Sequence, residues 1–201
     1  MSGAPSRIAL FPLHTVLFPG GTLPLQIFEP RYLELVRDCT RSGESFGVVP
    51  IQEGREAGGP ATPYPVGTAA SIIDWSQGHN GLLNILVRGG ERFDLESTQQ
   101  GAQGLLYGEI RWRPGVTRLA PDSEFTELRA LLQNMLEHAG ATSDHDALSS
   151  LSNAEVVWRI AEHLPLPVAD KMGLLTARDD LALLEGITTH LAGILRRTHL
   201  N

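Results

Sequence analysis

The chain changes its hydrophobic period once, near Pro114, and that change restricts the fold more than any single motif. Before it, apolar residues alternate with polar ones in short runs, the period of half-buried strands, and Gly or Pro stands in nearly every gap. After it, apolar residues recur at steps of three and four, the period of amphipathic helices. The first part predicts strands over Ile8–Leu13, Thr22–Ile27, Ser45–Val49, Val66–Trp75, Leu82–Val87, Arg92–Ser97 and Leu105–Trp112, with one helix near Arg31–Thr40. Helical crossovers are otherwise missing, which points to a barrel or sandwich rather than a parallel sheet. Gln52–Pro65 carries Gly54, Gly58, Gly59, Pro60, Pro63 and Pro65, and predicts an exposed irregular loop that could serve as a mobile flap.

In the second part, Phe125, Leu128, Leu131, Leu132, Met135 and Leu136 form one apolar stripe, and Gly140 marks its stop. Ser152-Asn153-Ala154-Glu155 has the form of a capping box opening a helix with Val157, Ile160, Ala161 and Leu164 on one face, ended by Pro165 and Pro167. Thr176-Ala177-Arg178-Asp179 reads as another cap. The helix after it repeats apolar positions at Leu181, Leu184, Leu191 and Leu195, with Thr188 in the same stripe. Gly186 and Gly193 share a face of that helix, and close packing against a neighbouring helix would offset their low helix propensity.

The densest local signal is Phe18-Pro19-Gly20-Gly21-Thr22-Leu23-Pro24-Leu25-Gln26-Ile27-Phe28-Glu29-Pro30-Arg31-Tyr32. Its glycine pair supplies a turn, Leu23, Leu25 and Ile27 alternate as on a strand, and Pro24 places that strand at an edge. Pro30 suits the first position of a helix, so strand gives way to helix at Glu29-Pro30.

This stretch resembles the signature of the Lon N-terminal domain family, the substrate-recognition module that precedes the ATPase and peptidase parts of Lon proteases. Leu10-Phe11-Pro12-Leu13, Phe46-Gly47-Val48-Val49, Gly67-Thr68, Gly89-Gly90-Glu91-Arg92-Phe93, Leu164-Pro165, Lys171 and Leu174-Leu175 follow in family order, so the resemblance spans most of the chain. It implies an α+β architecture, with a β-rich, PUA-like pseudobarrel over residues 1–117 and a C-terminal helical bundle subdomain over 118–201. It also implies a non-catalytic binding module, standing alone without ATPase or peptidase, that recognises unfolded or extended polypeptide or a protein partner, as an adaptor in protein quality control. The candidate contact residues lie around the signature: Phe18, Pro19, Phe28, Arg31 and Tyr32, joined by Tyr64 of the flap. Aromatic and Arg side chains give large contact area and directional hydrogen bonds at interfaces.

Composition narrows the chemistry. A formal charge of −7 disfavours a phosphate-neutralising surface. The alternative of RNA binding, suggested by the likeness of the family's barrel to PUA domains, would place Arg88, Arg92, Arg111 and Arg113 on phosphates. Of the 16 Lys and Arg residues only Lys171 is lysine, and it sits in Asp170-Lys171-Met172. A Walker-type loop ending in Gly-Lys-Ser/Thr is therefore excluded, and a Ser-Lys peptidase dyad has no suitable lysine. Gly43-Glu44-Ser45-Phe46-Gly47 matches the nucleophile-elbow pattern, but a helix precedes it and a strand follows, the reverse of the required strand–turn–helix, so Ser45 reads as a turn residue. Asp144-His145-Asp146 has ligand types without a second cluster at ligand spacing, and neither metal nor cofactor is expected. Cys39, the single cysteine, reads as a structural thiol. No apolar run is long enough to span a bilayer and the start lacks a signal-peptide core, so the expected location is the cytoplasm.

Overall fold

The computed structural model describes residues 6–56, 61–78, 80–140 and 148–198. The chain divides into two compact units, Met1–Pro114 and Gly115–Asn201. In the first, strands β1 (Ser6–Leu13), β2 (Thr22–Ile27), β3 (Phe46–Gly54), β4 (Ala61–Pro63), β5 (Val66–Gln77), β6 (Leu83–Gln100) and β7 (Leu106–Trp112) accompany one helix, α1 (Pro30–Ser42). Hydrogen bonding runs β1-β7-β6-β5-β3, and a parallel β3–β1 pairing from Leu10↔Gly47 to Leu13↔Pro50 closes the ring. The pseudobarrel is thus a five-strand ring, with β2 and β4 attached outside it. The parallel β1–β3 pair has a physical reason: β1 returns to β3 through α1, the one α-helical crossover among the described residues of this unit.

A five-strand ring leaves little interior, and three glycines make room for what fills it. A Cβ on Gly47 would lie 2.8 Å from both Leu10 and Phe93, one on Gly67 would lie 2.5 Å from Phe93, and one on Gly108 would lie 2.5 Å from Leu95. Phe93 is fully buried there with Leu10, Val49, Ile8 and Ile110. A larger cluster forms where α1 sets Tyr32, Leu35, Val36 and Cys39 against Phe11, Phe46, Ile85 and Val87.

Two expectations change in this unit. The predicted strands Leu82–Val87 and Arg92–Ser97 are one 18-residue strand, β6. Gly89-Gly90 does not break it, because Gly89 serves close approach: its N–H donates to the Gly21 carbonyl, and a Cβ there would sit 2.1 Å from the Phe18 carbonyl oxygen. The Gln52–Pro65 segment is partly regular, since β3 continues to Gly54 and pairs with β4. Ser45 and its two glycines are structural: Gly43 ends α1 at φ 74°, Gly47 clears the barrel interior, and the Ser45 hydroxyl meets that of Ser71 at 2.9 Å. Pro24 does lie on an edge, for β2 pairs with β6 along one side.

The second unit holds α2 (Thr126–His138), α3 (Asn153–His163), α4 (Val168–Thr176) and α5 (Asp180–Thr198). A short 3₁₀ turn, Asp122–Phe125, leads into α2. The capping box of α3 forms as read, with Ser152 and Glu155 each holding the other's backbone N–H. The α5 cap is Asp179, whose carboxylate accepts from Ala182 N at 2.9 Å; Thr176 belongs to α4 and bonds back to the Met172 carbonyl. Leu183 and Ile187 are the fully buried apolar residues of α5 among the described residues, while Leu181 and Leu195 of the predicted stripe are exposed. Gly186 packs against Leu174 of α4, whereas a Cβ on Gly193 would meet nothing within 4 Å. Asp144-His145-Asp146 lies outside the described residues.

At the start of α5, Asp180 is 1% exposed. Its Oδ1 accepts from the N–H groups of Leu119 (2.7 Å) and Ala120 (3.0 Å), and its Oδ2 accepts from Asn153 Nδ2 at 3.0 Å. Asn153 in turn accepts from Arg129 at 3.1 Å. Burial alone would raise the Asp180 pKa; the bonds from Asn153, Leu119 and Ala120 overcome it and hold the carboxyl below the ordinary carboxylate value.

Candidate functional site

The start of α1 lies beside an open cleft of about 690 Å³. Glu29 caps the helix in extended conformation (φ −85°, ψ 135°) and Pro30 takes the first helical position, as the sequence indicates. The next two residues form the wall. Arg31 lies 2.9 Å from the Glu29 carboxylate, donates to the Gly104 carbonyl at 3.0 Å, and stands 4.6 Å above the Tyr32 ring. Its side chain is 17% exposed, and its Nε is buried without an acceptor among the described residues. A cation in the first turn opposes the helix dipole, so what holds Arg31 there is the Glu29 carboxylate and the Gly104 carbonyl rather than the dipole.

Tyr32 stacks on Phe11 with ring centres 3.9 Å apart and planes inclined by 17°. Burial pushes its phenol pKa up, with the Arg31 cation opposing and the Glu29 and Glu56 carboxylates adding to the rise. Arg55, Glu56 and Ala61 of the β3–β4 hairpin form the facing wall. Glu56 accepts a hydrogen bond from the His14 N–H, which ties that hairpin to the end of β1. The third side is the turn between β6 and β7, where Gln103 adopts φ 57° and donates to Glu34 of α1 at 3.0 Å. A non-glycine residue in the left-handed region costs energy and persists where its surroundings hold it, a feature concentrated at binding sites.

Of the six contact candidates, the structure brings Arg31 and Tyr32 together in this cleft. Phe18 is fully buried in the core, and its carbonyl accepts from Gly21 N, so its place is architectural. Pro19 is half-buried in the same turn, away from the cleft lining. Phe28 is 59% exposed just ahead of Glu29, also outside the lining. Tyr64 is half-buried, its N–H held by the Pro50 carbonyl. Sequence reasoning missed Glu56, Gln100 and Gln103 as residues of the cleft lining. Glu56 was within reach, since it belongs to the segment read as a flap; nothing in the identity of Gln103 signals a left-handed backbone.

Of the arginines of the RNA alternative, Arg92, Arg111 and Arg113 neighbour one another where β6 pairs with β7, but each is already engaged. Arg92 is 5% exposed and donates to the Pro114 carbonyl at 3.1 Å; burial, with repulsion from Arg113 and against the pull of Asp94, lowers its pKa to about 10. Arg113 pairs with Asp94 at 3.2 Å and Arg111 pairs with Glu96. Arg88 is exposed on β6. Trp112 turns away from the two arginines that flank it and meets Phe93 edge to face at 6.1 Å. Guanidiniums already buried or paired with carboxylates are poor phosphate ligands. Cys39 is buried, and its pKa is raised to about 11 by burial and by the Glu44 and Asp38 carboxylates. Among the described residues no three His, Cys, Asp or Glu side chains converge as a metal site, and no helix is long and apolar enough to cross a membrane.

A closed β-ring with a charge-lined cleft at α1, followed in the chain by a helical unit, defines a domain of mixed α+β class. The comparisons make this specific. The family model described as the ATP-dependent protease La (LON) substrate-binding domain matches residues 7–193, and the chain belongs to that family. The crystal structure of a Lon N-terminal domain protein from Xanthomonas campestris superposes with a TM-score of 0.74 at 36% identity, covering 92% of this chain and 98% of that one. The N-terminal domain of Mycobacterium avium complex Lon protease shares the fold, with a TM-score of 0.67 at 19% identity, over 90% of this chain and 96% of that one. Lon protease 2 of Syntrophobacter fumaroxidans is 28% identical over 98% of this chain. The chain spans about a quarter of the length of that relative, 26%, and 22% of Lon protease from Flavobacterium johnsoniae.

Proposed function

We propose that this chain is a non-catalytic module that captures exposed, extended segments of polypeptide at the cleft beside the start of α1, acting as an adaptor in protein quality control. The observation that carries the reading is the lining of that cleft. Arg31, paired with Glu29, and Arg55 beside Glu56 line it together with Pro12, Tyr32 and Leu106, so both signs of charge lie next to apolar surface. Such a lining suits the mixed side chains and backbone amides of a peptide, whereas a nucleic-acid backbone calls for net positive charge. The substrate-binding family to which the chain belongs supports the same reading. Isothermal calorimetry with a permanently unfolded polypeptide, in the absence of ATP, tests it. Saturable binding is expected; heats of dilution alone across a varied panel would overturn it.

A further inference from the structure

At the far end of α1, β5 runs on past its pairing with β3. That pairing ends at Phe46↔Ala70, while β6 accompanies β5 to Gln77, so one edge of Ser71–Gln77 has no neighbouring strand among the described residues. A bulge between Ile72 and Asp74 leaves Ile73 41% exposed, and Trp75 is 65% exposed. The Trp75 N–H is bound by Asp74 Oδ1 at 2.8 Å. Bulge and side-chain cap together blunt the edge against addition of another strand, so this segment offers side chains rather than a backbone ladder.

Beside it lies a depression of about 280 Å³ lined by Cys39, Gly43, Glu44, Ile73, Asp74 and Trp75. Glu44 and Asp74 have no ion-pair partner among the described residues, whereas the Asp38 carboxylate one turn back on α1 is held by Arg37 and Arg41. An exposed indole next to two unneutralised carboxylates attracts a cation carried on an alkyl stem. The ring face draws the charge, the carboxylates accept its N–H groups, and Ile73 covers the methylenes. An acidic segment would be repelled, and a purely apolar one would strip water from both carboxylates without replacing it.

We infer that this surface binds a Lys or Arg side chain of an extended polypeptide, so that segments captured by the domain are selected for a basic residue. The inference rests on the polypeptide reading of the α1 cleft and adds a second contact, at the opposite end of the same helix, that sets which segments are taken. Fluorescence anisotropy with unstructured peptides of one length, carrying Lys, Gln or Glu at the same positions, tests it on the full chain. The Lys peptide is expected to bind at least about tenfold tighter than the Glu peptide. Trp75→Ala, and separately the pair Glu44→Gln with Asp74→Asn, should reduce that preference to within about twofold. All three side chains are exposed, and unchanged thermal midpoints would show that the variants fold. Equal affinity of the wild type for Lys and Glu peptides, or an undiminished preference in the variants, overturns the inference. If peptides bind without charge preference, and Arg31→Met abolishes their binding, this inference falls while the cleft reading stands. If no peptide binds, both fall.

Discussion

Two helix starts, those of α1 and α5, use a charged side chain in opposite ways. At α5 an anion, Asp180, sits where the helix dipole favours it, and both of its oxygens receive hydrogen bonds from Leu119, Ala120 and Asn153. At α1 a cation, Arg31, sits where the dipole opposes it, with its Nε unmatched among the described residues. A buried polar group whose bonds are complete holds a fold together; one left incomplete beside an open cleft is poised for something else. In the proposed reading, the start of α5 serves stability and the start of α1 serves recognition.

The largest effect that would break this contrast is at Asp180. Asp180→Ala strands two backbone N–H groups and the Asn153 amide, and should destabilise the helical unit by about 3–5 kcal/mol in urea unfolding. A loss below about 1 kcal/mol would mean that the network is not structural. The pH dependence has a definite sign. The folded pKa lies below the ordinary value, so the stabilisation is complete above the usual carboxylate range and fades as pH falls through the depressed value. The stability gap between wild type and Asp180→Ala should therefore narrow in acid.

Gly67→Ala sharpens the contrast from the barrel side. Its Cβ would lie 2.5 Å from Phe93 and 2.7 Å from the Val48 carbonyl oxygen, so overpacking should cost about 2–3 kcal/mol without altering the cleft lining. Arg31→Met should then show the reverse: a change within about 1 kcal/mol in stability, because a dipole-opposed and incompletely bonded cation is lost, but at least about tenfold weaker polypeptide binding. Smallest of all is Cys39. With its pKa near 11, iodoacetamide at pH 8 should leave the native thiol almost unlabelled and react on denaturation, and ligand should not change that.

How far the sequence foretold this pattern depends on whether the cause was local. The Glu29-Pro30 helix start, the Ser152–Glu155 capping box and the edge position of Pro24 depend on neighbours within a few residues, and each forms as read. The continuity of β6 through Gly89-Gly90 depends on the distant Phe18 turn, so a glycine pair that reads locally as a break is a point of close approach. In α5 the apolar residues occupy several adjacent stripes, and period alone does not choose Leu183 and Ile187 over Leu181 and Leu195. The cleft was half legible: Arg31 and Tyr32 carry a local signature, but Glu56, Gln103 and Gly104, which line it with them, come from two other loops that the closed ring brings together.

Amide hydrogen exchange with and without a bound unfolded polypeptide tests the central claim most directly, because it reports both helix starts in one sample. Slower exchange is expected at the first turn of α1 and across the β6–β7 turn around Gly104, with Leu119, Ala120 and the start of α5 unchanged. Protection at the start of α5 with none at the start of α1 would contradict the account.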